Sequence, residues 1–121
     1  MLGYKIMGAG VPSLLTIALT QDVGASIIAA GTTQGTATEL SATDNEITTV
    51  GSGAGVVLAS KLAPGDEQSV FNAGANPLKV YPPSGFKINA GAANAAMTLA
   101  VNTGCIFKCV STTRVFGVLS A

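Results

Sequence analysis

From Ser26 onward the chain reads as runs of β-prone residues separated by clusters of turn formers, and no helical period survives that punctuation. The runs are SIIAAG, TATEL, EITTV, GVVLAS, SVFNAG, LKVYP, FKIN, MTLAV, CIFKCV and RVFGVLS, rich in Val, Ile, Thr and Phe. Between them stand TTQG, TDN, GSGAG, APGDE, GANP, PPSG, AGAAN, NTG and STT, built from residues that favour tight turns. GAANAAM is rich in alanine but short, and Gly and Asn interrupt it. Turn signals that recur about every 8–12 residues mark a sandwich or barrel. The expected class is therefore all-β: an antiparallel β-sandwich, jelly-roll-like, over residues 26–121. With 121 residues the chain has room for a single core.

Residues 1–25, MLGYKIMGAGVPSLLTIALTQDVGA, break the rhythm. Pro12 stands where it can open a short helix through Leu19, yet Leu14, Leu15, Ile17 and Leu19 do not line up as one helical stripe. The expectation is an N-terminal arm whose apolar residues need cover, from a neighbour or from the domain itself. Its apolar stretch, VPSLLTIAL, is interrupted by Pro12, Ser13 and Thr16 and falls far short of the roughly 20 residues of a spanning helix. Lys5 ahead of that stretch has the layout of a secretory leader, but no small-x-small cleavage pattern follows, which favours the arm.

The stretch NAGANPLKVYPPSG, residues 72–85, encloses one strand between Pro77 and the pair Pro82-Pro83. Proline removes a backbone donor and within sheets is confined to strand starts, edges and bulges. Edge protection explains the pattern. A functional reading adds that Tyr81 and the PPSG turn form a rigid knob, with Phe86 beside it, suited to touching a partner.

Charge is sparse. Six basic and six acidic residues cancel, and charged residues make up 10% of the chain. Lys5, Lys61, Lys79, Lys87, Lys108 and Arg114 are scattered, so the clustered basic footprint of a nucleic-acid binder is missing. Near-zero net charge favours association, and much of the surface reads as made for other subunits.

Catalytic chemistry finds little to use. The chain has no histidine, so neither Cys105 nor Cys109 has an imidazole base, and zinc lacks ligands. GCIFKCVS reads as a strand that places both cysteines on one face about 13 Å apart, beyond disulfide reach. They are expected to be small buried hydrophobes. Asp66 and Glu67 follow Pro64-Gly65 in a solvated turn, and Asp44, Asn45 and Glu46 lack the remaining oxygens and the glycine of a calcium loop. GSGAG at 51–55 fails the dinucleotide fingerprint at Val56. No cofactor and no enzyme activity are expected. Sugar platforms expose aromatic rings, whereas Tyr4, Tyr81, Phe71, Phe86, Phe107 and Phe116 are expected mostly to alternate into the core.

The segment FNAGANPLKVYPPSGFKINAGAANAAMTLAVNTGCIFKCVSTTRVFGVLS resembles a group of small phage and prophage virion proteins. In that group a strand, an NxGAN-x-L-x-VYP-x-G motif, an x-I-N step and an Ala/Asn-rich turn lead to a closing hairpin with an aromatic near its end. GTTQGTATELSATDNEITTVGSGAGVVLASKLAPGDE is similar to the group's first half, including the L-x-PGD turn. The resemblance covers about residues 26–121 and implies no catalytic residue. It implies a structural role on the virion, as a capsid decoration (cement) protein on the outer surface that binds the major capsid protein and neighbouring copies of itself. A head-fibre or tail-fibre module for host attachment is the alternative. The residues expected to make partner contacts are Leu14, Leu15, Ile17 and Leu19 on the arm, with Tyr81 and Phe86 at the proline turn.

Overall fold

The computed structural model describes residues 23–120, and those residues form ten strands and no helix. In chain order they are β1 (Val23–Ile28), β2 (Thr38–Glu39), β3 (Asp44–Thr49), β4 (Gly55–Val57), β5 (Glu67–Asn72), β6 (Leu78–Tyr81), β7 (Lys87–Ile88), β8 (Met97–Leu99), β9 (Gly104–Cys109) and β10 (Arg114–Leu119). Each falls on one of the β-prone runs. The all-β expectation holds. Because β1 begins at Val23, residues 23–25, assigned above to the arm, belong to the sheet.

The strands build two sheets, one of six strands in the order β1-β3-β5-β9-β10-β7 and one of four in the order β2-β4-β6-β8. The pairing corrects the antiparallel jelly roll. β1, β3 and β5 pair parallel on one wall, and β2, β4 and β6 pair parallel on the other. From β1 to β6 the chain crosses between walls at every connection, which is the winding of a β-solenoid. One rung steps from Val23 to Asp44 to Ser69, and a facing rung from Thr38 to Val56 to Val80. Short strands separated by turns suit an antiparallel sandwich and a coil equally, because periodicity assigns each residue to a face and says nothing about its neighbouring strand.

The closing half is different. β8 runs antiparallel to β6, and the β9–β10 hairpin is antiparallel within itself and against β5. β7 pairs parallel with β10 at the far edge. The hairpin therefore lies between β5 and β7, where a continuing coil would have paired those two directly. β6 is an interior strand held by β4 and β8, which corrects its reading as a protected edge. Pro77 and Pro82 flank the ladder rather than sit in it, so neither removes a sheet donor.

The core lies between the walls. Leu40, Ile47, Val56, Leu58, Val70, Leu78, Val80, Leu99, Phe107 and Val115 are buried there, with Phe107 the largest fully buried side chain. Corner segments leave backbone groups without ladder partners, and buried amides satisfy them. Gln68 donates from Nε2 to the Ala42 carbonyl and accepts at Oε1 from the Ala59 N–H, both at 2.9 Å, joining two successive corners. On the other side Asn76 Nδ2 donates to the Val50 carbonyl at 2.8 Å. Asn72, fully buried, donates to the carbonyls of Asn76 (2.9 Å) and Leu99 (3.0 Å) and accepts from the Gly74 N–H (2.9 Å). Gly74 is required by proximity: a Cβ there would stand 2.5 Å from Val50 Cγ2 and 2.9 Å from its backbone N.

Candidate functional site

Strand alternation sends β9 and β10 side chains to two environments. Cys105, Phe107 and Cys109 point into the core, and Ile106 and Lys108 point out. On β10, Val115 is buried, while Phe116 and Val118 face away from the core. The register places Val118 opposite Ile106, Ile106 opposite Ser69, and Phe71 opposite Gly104. The outer face of β5, β9 and β10 thus carries a contiguous apolar group: Phe71 (43% exposed), Ile106 (52%), Phe116 (44%) and Val118 (68%). A shallow groove of about 310 Å³ runs among Phe71, Ile106, Val118 and Leu119.

Two glycines shape this region. A Cβ on Gly104 would come within 3.3 Å of the Phe71 ring, so the ring lies across the bare backbone of the neighbouring strand. Inside, a Cβ on Gly117 would meet Cys105 Sγ at 2.9 Å and the Phe107 ring at 3.1 Å. Polar groups border the apolar patch. Lys108 Nζ lies 3.3 Å from Glu67 Oε2, an ion pair about half exposed on both sides and of marginal energetic value. The Arg114 guanidinium stands 5.8 Å from the centroid of the Phe116 ring. Such a cation–π contact contributes about 0.5–1 kcal/mol at an exposed site.

Among the described residues, the polar side chains of the clefts serve turns and corners. One of about 310 Å³ is lined by Ser41, Lys61, Asp66, Glu67 and Gln68. Asp66 accepts the Ala63 N–H at 3.0 Å and closes its own turn, while Gln68 is committed to the corners described above. Asp44 and Glu46 point outward and Asn45 inward, so strand alternation separates the three oxygen-bearing side chains of that turn. The cysteines are buried and free, on one face as expected. Burial pushes the Cys105 thiol up to about 11 and raises Cys109 as well, which keeps both protonated and poor nucleophiles at neutral pH.

The expected contact residues fare differently. Leu14, Leu15, Ile17 and Leu19 lie outside the described residues. Tyr81 is 7% exposed and its hydroxyl donates to the Thr32 carbonyl at 2.9 Å, so it anchors a loop and forms no knob. Phe86 is partly buried against the core. Pro82 and Pro83 are buried, and the turn after them is held by Asn94, whose Oδ1 accepts the Gly85 N–H at 2.6 Å. Phe71 and Phe116 face outward instead of alternating into the core. The signal that could have found this face is in CIFKCV and RVFGVLS, where apolar residues occupy both parities of the strand.

Comparison of the chain with protein-family models, with curated proteins and with solved structures finds no match.

Proposed function

We propose that this chain is a non-enzymatic structural protein of a phage particle, a capsid decoration protein that sits on the outer surface of the shell and binds the major capsid protein and copies of itself. The observation that supports the reading is the apolar outer face of β5, β9 and β10 on a chain with so few charges. Contiguous exposed apolar side chains rimmed by polar groups are the mark of a protein contact surface. A lattice component reuses one such patch at every copy, so a small domain gains much buried area from it. The resemblance of residues 26–121 to small virion proteins points the same way. The arm residues Leu14, Leu15, Ile17 and Leu19 are proposed to share in the contact.

The test is light scattering and co-sedimentation of the purified chain before and after mixing with empty capsids of its phage. A monomer or loose dimer that becomes shell-bound, and loses binding on Ile106→Lys with Val118→Lys, supports decoration. A chain that ignores capsids removes it.

A second reading, a head-fibre or tail-fibre module, draws on the parallel coil. Among the described residues β1 is a six-residue edge strand without proline or charge, whereas the other edges, β2, β7 and β8, have two or three residues. A long open edge at one end of a coil suits end-to-end or side-by-side assembly into a stalk. A stable trimer indifferent to capsids would establish this alternative.

A further inference from the structure

Charge is sparse on this chain, yet the outer face of the six-stranded sheet collects much of it and sorts it by sign. Among the described residues that face carries three of the chain's six acidic and three of its six basic residues. Asp44 and Glu46 on β3 and Glu67 on β5 point out, since Asn45, Ile47 and Gln68 beside them are buried. Lys108 on β9, Arg114 on β10 and Lys87 on β7 point out on the same ground, next to buried Cys109, Val115 and Ile88. In the sheet order β1-β3-β5-β9-β10-β7 the sign changes once, between β5 and β9. The apolar group straddles that line, with Phe71 on β5 and Ile106, Phe116 and Val118 beyond it. The Glu67–Lys108 pair, 3.3 Å apart, spans it.

Such a face selects its occupant. A partner of uniform charge is attracted by one half and repelled by the other, which suppresses its binding. A second copy gains on both halves. A two-fold axis between two facing sheets, above the line from β5 to β9, carries the acidic half of each copy over the basic half of the other. The apolar groups then meet at the centre with charges around them, the layout of a protein contact. Strands about 4.8 Å apart and mostly six residues long, at roughly 3.3 Å per residue, give a face of roughly 500 Å² in plan. A standard interface covers about 800 Å² of accessible surface per partner, so this contact lies at the weak end and separates on dilution.

We infer that the occupant of this face is a second copy of the chain, packed face to face about a two-fold axis with acidic halves on basic halves. The inference rests on the reading of the face as a contact surface and names which of the proposed partners takes it. A pair brings two copies of whatever touches the shell, so pairing strengthens docking through avidity.

The test uses the full chain without any particle. Analytical ultracentrifugation from micromolar to millimolar concentration is expected to show a monomer passing to a dimer. Asp44→Lys with Glu46→Lys makes the face basic throughout its flanks, and Lys87→Glu with Arg114→Glu makes it acidic. Each variant alone should pair at least about tenfold more weakly than the parent chain, with an unchanged circular dichroism spectrum, and an equal mixture of the two should pair again. Ile106→Cys reads the same contact without a change of charge. Near the axis it meets its own twin, so mild oxidation is expected to give a disulfide-linked dimer, whereas Lys61→Cys, in the corner before β5, gives none. A chain that stays monomeric at every concentration would mean that its own residues 1–22 or a different partner takes the face. Swap variants that pair alone, or that stay apart when mixed, would put the contact elsewhere, as would an Ile106→Cys chain that forms no linked dimer. Each of these overturns the inference. A chain that pairs as described yet ignores capsids removes the capsid proposal and leaves this one standing; a strict monomer that binds capsids does the reverse.

Discussion

The two faces of the β5–β9–β10 region carry the same device. On the inner face Phe107 lies against Gly117, and on the outer face Phe71 lies against Gly104. The chemistry is alike, but Phe107 is fully buried between the walls while Phe71 keeps 43% of its surface exposed. Burial converts an aromatic–glycine pair into stability, since transfer from water contributes roughly 25 cal/mol per Å² of apolar surface. The outer pair keeps much of that free energy in reserve until something covers it. Local chemistry does not distinguish a core residue from a contact residue; the opposite wall does.

The largest effect should come from the inner face. Phe107→Ala is expected to cost about 3–5 kcal/mol in urea unfolding, a large fraction of the stability of a domain this size. If it costs as little as Phe71→Ala, the two faces are not different in kind. Next comes the corner. Asn72→Ala strands the Leu99 and Asn76 carbonyls and the Gly74 N–H, with an expected loss of about 1–3 kcal/mol by the same measurement.

Alkali probes the inner face through its thiols. An unfolded cysteine titrates near about 8.5, whereas burial raises Cys105 to about 11 in the fold. Between those values the unfolded chain has released a proton that the folded chain keeps. Stability conferred by the buried thiol is therefore full below about pH 8.5 and falls as pH rises toward 11, by up to about 1.4 kcal/mol per pH unit. Cys105→Ala should flatten that slope in thermal unfolding measured across the range, whatever it does to the overall level. A slope unchanged by the substitution would remove Cys105 as its source.

The smallest stability effects belong to the outer face. Ile106→Lys with Val118→Lys should move unfolding by no more than about 0.5 kcal/mol each, and on the proposed contact role should abolish capsid binding, which sharpens the contrast between the faces. Glu67→Gln, which breaks the exposed pair with Lys108, should change stability by less than about 0.5 kcal/mol.

Much of this architecture was legible residue by residue. The ten runs correspond to ten strands because β-branched and aromatic residues fit an extended backbone, and the spacers hold residues that tolerate turn geometry. Among the described residues, three of the four non-glycine residues with positive φ are asparagines, Asn89, Asn94 and Asn102, all in spacers or at run ends. Ser26, the fourth, falls where β1 slips register against β3, a bulge that nothing in SIIAAG announces. The candidate site was much less legible. Tyr81 ends a run beside two prolines and looks like a surface knob, but its hydroxyl reaches Thr32, 49 positions away. Phe71, Ile106, Phe116 and Val118 lie in strands distant in sequence and become one patch only because β9 pairs with both β5 and β10.

By itself the sequence determined where strands and turns lie, that Cys105 and Cys109 share a face, and that few charges would cover the surface. These follow from local backbone preference and from a two-residue period, both properties of short segments. Only the tertiary structure decided that β1 to β6 wind as a parallel coil and that β9–β10 separates β5 from β7. It also decided that, among the described residues, one face of the six-stranded sheet meets a wall while the other does not. Pairing is a choice among distant strands of similar composition, settled by which arrangement buries Phe107 and its neighbours while the corner amides satisfy the backbone between walls.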